Sequence, residues 1–154
     1  MKLQRFNDLE NTNKLSKIIF LNFFDLQYED NIDFSIQSVI NILDSPALIG
    51  WFLLDNDNKI IGYLIGKTQG LNDGRFVYYI SYFYIVNKYR NKGLGTRMLL
   101  TCMEYIKNQN ISNIMLITKN NSNAHKLYSK LGFDIDPIIK IKNPNYCIIS
   151  NYSF

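Results

Sequence analysis

A chain of 154 residues that is 47% hydrophobic and 19% charged can bury a core without metal or disulfide support, and it reads as a single domain over 1–154. Its formal net charge of +4 admits an acidic partner, but the basic residues form no dense run interleaved with aromatics, so a nucleic-acid-binding module is not expected. Two cysteines (Cys102 and Cys147) and one histidine (His125) exclude a disulfide scaffold and a Cys/His metal site, which makes a reducing location, cytoplasmic or nuclear, the expectation.

The opening segment, Met1 to Arg5, lacks the hydrophobic core of a signal peptide, and no apolar run approaches the ~20 residues of a membrane span. Leu15, Ile18, Ile19 and Phe23 recur at helical spacing and predict a helix over Asn11 to Gln27, with a shorter one over Asp33 to Leu43. Apolar runs at Leu48 to Leu54 and Lys59 to Lys67 predict two strands joined by a hairpin at Asp55-Asn56-Asp57-Asn58. Gly70 to Gly74 marks a loop before a long aromatic strand, Phe76 to Val86, on which alternation places Tyr78, Tyr82 and Tyr84 on one face and Tyr79 on the other. A helix over Thr96 to Lys107 follows, then a strand over Asn113 to Thr118 and a helix over Asn121 to Leu131. Asn120 or Asn121 is its expected N-cap and Gly132 its C′ residue. Phe133 to Ile141 and Tyr146 to Tyr152 predict two closing strands. This order predicts an α/β layered domain, a mixed sheet with helices on its faces.

Arg90-Asn91-Lys92-Gly93-Leu94-Gly95 stands where a strand hands over to a helix. A helix N-terminus offers unpaired N–H groups and partial positive charge, and glycines let the backbone approach closely, so a phosphate fits there. Arg90, Lys92 and Arg97 flank the turn as charged contacts for a polyanion. Two nucleotide motifs are ruled out by the letters: Met98 stands where a dinucleotide fingerprint needs its third glycine, and no G-x-x-x-x-G-K-[ST] is present.

The R-x-x-G-x-G arrangement resembles the acetyl-CoA pyrophosphate motif of the GNAT acyltransferase superfamily. A second segment, Asn121-x-x-Ala124-x-x-Leu127-Tyr128-x-x-Leu131-Gly132-Phe133, is similar to the family's N-x-x-A-x-x-L-Y-x-x-x-G-F. The resemblance implies one acetyltransferase domain over 1–154, with a mixed, mostly antiparallel twisted sheet, helices on both faces, and acetyl-CoA as acyl donor. It implies that Arg90, Asn91, Lys92, Gly93, Leu94, Gly95, Thr96 and Arg97 wrap the pyrophosphate. Exposed backbone at Phe83, Tyr84 and Ile85 would hold the pantetheine, with Asn121 and Ala124 along the cofactor's other side. The Ile85 backbone N–H is the implied oxyanion donor, and Tyr128 matches the tyrosine that protonates the departing thiolate.

Acyl transfer to an amine also needs a route for the amine's proton. The central strand carries no carboxylate, which leaves Tyr79, Tyr82 or a water chain as candidates, with Tyr82 standing where related enzymes place a carboxylate. His125 is expected at the surface or the cofactor's edge, and Glu104 on the solvent face of its helix. The region Leu131 to Pro137 with Asn145 to Ser150 is similar to the closing region of protein N-terminal acetyltransferases of the histone-type branch, as is R-x-K-G-L-G at Arg90 to Gly95. A peptide or protein amine is therefore the preferred acceptor. The alternatives are a small amine such as a polyamine or antibiotic, or a non-catalytic acyl-CoA-binding domain. A monomer or homodimer is expected.

Overall fold

The computed structural model describes residues 1–6, 12–22 and 36–152. Among these residues seven strands form one sheet: β1 Lys2–Arg5, β2 Leu48–Leu54, β3 Ile60–Gly70, β4 Phe76–Ile85, β5 Asn113–Lys119, β6 Asp134–Ile135 and β7 Tyr146–Tyr152. Their order is β1-β2-β3-β4-β5-β7-β6. Every neighbouring pair is antiparallel except β4 and β5. The α-helices among the described residues are α1 Thr12–Asn22, α2 Ile36–Leu43, α3 Leu94–Lys107 and α4 Asn123–Lys130. The expected layered α/β sheet with helices on both faces is what the chain adopts. Residues 11, 23–27 and 33–35 of the two predicted N-terminal helices, Phe23 included, lie outside the described residues.

One face of the sheet buries Trp51, Leu64, Tyr78, Ile80 and Ile85 against Met98, Leu99, Cys102 and Ile106 of α3 and Tyr128 of α4. The other buries Tyr63, Ile65 and Tyr82 against Ile19 of α1 and Val39 and Leu43 of α2. The Asp55–Asn58 hairpin forms as predicted: the Asp55 carboxylate accepts the Asp57 and Lys59 N–H groups at 2.9 Å each, and Asn58 takes a left-handed φ of 61°. β1 is an addition to the predicted elements, since a short edge strand with lysine and arginine at its ends carries little pattern.

Two sequence expectations fail for identifiable reasons. Of the strand predicted over Phe133 to Ile141, only Asp134–Ile135 pairs. The Asp136 carboxylate accepts the N–H groups of Ile138 at 3.1 Å and Ile139 at 2.8 Å, and Pro137 has no donor, so a local turn replaces the ladder. The expected sharing of one face by Tyr78, Tyr82 and Tyr84 also fails. The β3–β4 register shifts between Ile65 and Gly66, which pair with Tyr82 and Ile80 and leave Ser81 as an extra residue. One bulged residue inverts the alternation beyond it. Tyr78 therefore packs toward α3, whereas Tyr82 and Tyr84 join the α1–α2 side. Gly66 makes the bulge possible, since a Cβ there would overlap the Tyr79 carbonyl and lie 2.9 Å from Tyr78 Cζ.

The bulge and the single parallel pair together create an opening. β4 and β5 pair only from Val77 to Tyr79 with Asn113 to Met115, and beyond that no described strand pairs with the outer half of β4 on this side.

Candidate active site

The opening between the strands is a cleft of about 560 Å³. One wall is the outer end of β4 (Phe83, Tyr84, Ile85), a second is the turn and first residues of α3, and the third is α4 with Asn123, Ala124, Leu127 and Tyr128. Val86 donates its N–H to the Ile61 carbonyl at 2.9 Å. Even-numbered residues of this half of β4 therefore bond toward β3, and Phe83 and Ile85 turn their N–H and C=O groups into the cleft.

The turn before α3 is built from residues with unusual backbone. A 3-10 turn, Asn87–Tyr89, carries the chain off β4. Asn91 (φ 61°) and Gly93 (φ 78°) then take left-handed conformations, which cost asparagine and glycine least. Gly93 is the N-cap of α3 and supplies no side-chain acceptor. The N–H groups of Leu94, Gly95 and Thr96 precede the first intrahelical donor, the Arg97 N–H that reaches the Gly93 carbonyl at 3.1 Å, and remain available where the helix dipole is positive. A Cβ on Gly95 would sit 3.5 Å from Ile85 Cδ1 and Leu127 Cδ2 and narrow the cleft between its walls. Lys88 and Lys92 flank the Tyr89 ring, their ammonium groups 5.2 and 5.7 Å from its centroid, which places positive charge at the mouth.

Tyr128 is fixed by the end of its own helix. Gly132 is the C′ residue, as expected, with φ 91°. Its N–H donates to the Ser129 carbonyl at 3.1 Å, and Phe133 N–H reaches back to the Tyr128 carbonyl at 3.0 Å, the two bonds of a Schellman motif. The Phe133 ring lies 5.8 Å from the Tyr128 ring, and Phe83 packs on it at 6.3 Å. Burial pushes the Tyr128 phenol well above its usual 10, so it is protonated throughout the physiological range.

Of the residues singled out in the sequence, Phe83, Tyr84, Ile85, Arg90, Asn91, Gly93, Leu94, Gly95, Thr96, Ala124 and Tyr128 line this one cleft. Lys92, Arg97, Asn121 and Tyr82 are not among its lining residues. Lys92 and Arg97 are exposed. Asn121 precedes the helix, with Ser122 as the actual N-cap accepting the His125 N–H at 3.1 Å, and Asn121 donates its own N–H to His125 Nδ1. That bond occupies His125 outside the cleft. Tyr82 is turned by the Ser81 bulge to the α1–α2 face, where its phenol is raised by desolvation and shares a hydrogen bond with Ser38. It does not reach the side where Tyr128 stands. Asn87, Tyr89, Asn123 and Leu127 line the cleft without having been singled out. Leu127 was visible inside the second motif, whereas Asn87 and Tyr89 depend on the 3-10 turn.

No carboxylate or histidine lines the cleft among the described residues, and no group of His, Cys, Asp or Glu there could hold a metal ion. Nor is any described helix long and apolar enough to cross a membrane.

Residues 14–133 match the acetyltransferase (GNAT) family. The N-alpha-acetyltransferase 30 of Schizosaccharomyces pombe is 33% identical over 81 residues, a match covering 52% of this chain and 53% of that protein, so the chain spans about half the length of the curated relative it matches. Among solved structures, the NatC complex bound to Gag peptide and CoA is similar with a TM-score of 0.73 and 19% identity, over 99% of each chain. The aminoglycoside 6'-acetyltransferase type Ii aligns with a TM-score of 0.73 at 16% identity, covering 100% of this chain and 98% of the other.

Proposed function

Starting from the fact that this chain belongs to the acetyltransferase (GNAT) family, we propose that it is an acetyl-CoA-dependent N-acetyltransferase whose acceptor is the α-amine of a peptide or protein. The observation that carries this reading is the coincidence, in one cleft, of free backbone donors on β4, a glycine-capped helix N-terminus and the phenol of Tyr128. The cleft fits acetyl-CoA, because Gly93 and Gly95 leave room beside three unpaired helix N–H groups and the splayed β4 edge accommodates an extended amide chain.

Bound acetyl-CoA supplies an activated thioester, whose C–S bond breaks as the C–N bond to the amine forms. Leu94, Gly95 and Thr96 N–H groups hold the pyrophosphate oxygens. Phe83 offers a donor and an acceptor along the pantetheine, and the Ile85 N–H donates to the acyl oxygen as negative charge builds there. Tyr128 would donate its proton to the departing sulfur, a thiol of ordinary pKa about 8.5, and regain one from the proton that the nitrogen loses as the amide forms, so the step balances.

The choice of acceptor rests on the residues that line the described cleft. With no carboxylate or histidine lining the described cleft, an amine that sheds its proton unaided is favoured. An α-amine has a pKa of about 8 and a lysine or polyamine amine about 10.4, so near neutral pH the α-amine is more neutral by roughly two orders of magnitude. The test is thiol release from acetyl-CoA against peptides with free or blocked N-termini, polyamines and aminoglycosides. The expected result is turnover on free N-termini only, rising with pH and levelling near pH 8. Turnover confined to polyamines or aminoglycosides would replace the acceptor, and CoA binding without thiol release from any acceptor would leave an acyl-CoA-binding domain.

A further inference from the structure

We propose that Arg90 is a positioning residue for the acyl end of the cleft, acting through the Ile85 carbonyl, and that its side chain is not a ligand of the donor's phosphates; this rests on the acetyltransferase reading above. The Arg90 Nε–H donates to the Ile85 carbonyl at 2.7 Å, back across the turn to the end of β4. Its guanidinium lies over the Tyr84 ring, 5.0 Å from the centroid. Tyr84 stacks on Tyr63 at 5.8 Å, and the Tyr63 hydroxyl accepts Asn22 Nδ2–H at 2.9 Å. The guanidinium plane is thus set by a stack that runs along the α1–α2 face of the sheet to Asn22 of α1.

The consequence falls on one peptide group. The Ile85–Val86 peptide is held at both ends, its carbonyl by Arg90 and its N–H by the Ile61 carbonyl at 2.9 Å. Of the groups that Phe83 and Ile85 turn into the cleft, the Ile85 carbonyl is the one nearest the turn. Left free, it would oppose negative charge developing at the neighbouring Ile85 N–H and could rotate that donor out of line. Capped by Arg90, it is neutralised and immobile, so the acyl oxygen meets a fixed donor. With its Nε–H committed to the Ile85 carbonyl, Arg90 has only its Nη groups left to offer a phosphate.

Donor truncation separates the two roles, since acetyl-pantetheine carries the thioester and lacks the pyrophosphate. Arg90→Met and Arg90→Gln, each checked for an unchanged fold by circular dichroism, are expected to slow turnover about tenfold with both donors, while the Kd for CoA stays within about threefold. In the free protein, exchange of the Val86 amide hydrogen should quicken about tenfold as its peptide loses one tether. A loss seen with acetyl-CoA alone, together with weakened CoA binding, would overturn the assignment in favour of a phosphate contact, as would an unchanged Val86 exchange rate. If the unaltered protein turns over neither donor, the acetyltransferase reading fails, and Val86 exchange alone decides whether Arg90 pins the strand end.

Discussion

Tyr128→Phe is expected to lower kcat about 100-fold while the Kd for CoA changes by less than about threefold, the pattern of a group that acts in the transition state and not in ground-state binding. The substitution removes one oxygen and keeps the ring, so the packing of Phe83 at 6.3 Å and Phe133 at 5.8 Å survives. The Schellman bond from Phe133 to the Tyr128 carbonyl is made by backbone and is equally unaffected. The pH profile gives a second check. A phenol held above 10 remains a donor from acid to mildly alkaline pH, so it adds no limb near neutrality. The unaltered enzyme should show one ascending limb, set by the acceptor amine, and Tyr128→Phe should lower that curve without shifting it. Steady-state kinetics from pH 6 to 9 measures both.

The second large effect concerns stability. Asp136 has no exposed side-chain surface, and its carboxylate accepts Arg75 Nη1 at 2.7 Å, Arg75 Nη2 at 3.0 Å and Ser150 Oγ at 2.8 Å besides the two backbone N–H groups of its turn. These bonds join the β3–β4 loop to the β6–β7 segment and to β7. Removing one partner of a buried pair typically costs about 3–5 kcal/mol, because the other is left buried and unpaired. Arg75 keeps a second partner in Asp73 at 2.8 Å and 16% of its side-chain surface, so Asp136→Ala should cost about 3 kcal/mol, the low end of that range. For a domain of this size that lowers Tm by about 10 °C. The Arg75 guanidinium, foremost among these donors, holds the Asp136 carboxyl well below its ordinary 3.8. A depressed carboxylate contributes stability above its unfolded pKa and loses it as pH falls toward the folded value. Stability should therefore decline below about pH 5, and the Asp136→Ala variant should lose part of that acid sensitivity. Thermal melts across pH 3 to 7 measure both effects.

The features legible in the sequence are those set by local chemistry. The glycine turn at the head of α3, the Gly132 C′ position and the Asp55–Asn58 hairpin each need a residue type that a strand or helix interior would reject. The motif around Tyr128 was legible for the same reason, because the glycine and phenylalanine that fix the tyrosine follow it within one turn. What stayed hidden depends on partners distant in the chain. The bulge at Ser81 is a matter of register between β3 and β4, and its one local sign is Gly66 inside an apolar strand. That single residue reversed the placement of Tyr82 and removed it from the cleft. The tie from Arg90 to Ile85 was equally invisible, because an arginine beside glycines suggests an anion before it suggests a carbonyl five residues back. Asp136 was read as part of a strand, since nothing in the letters announces that its carboxylate captures the next turn.

The most direct measurement is a titration of CoA into the protein while backbone amide chemical shifts are followed. The amides of Phe83, Ile85, Leu94, Gly95 and Thr96 should move together and saturate with one Kd, because they face one cleft. Shifts confined to the α1–α2 face around Tyr63 and Tyr82, or no saturable shift at all, would contradict the assignment of the β4–β5 opening as the donor site.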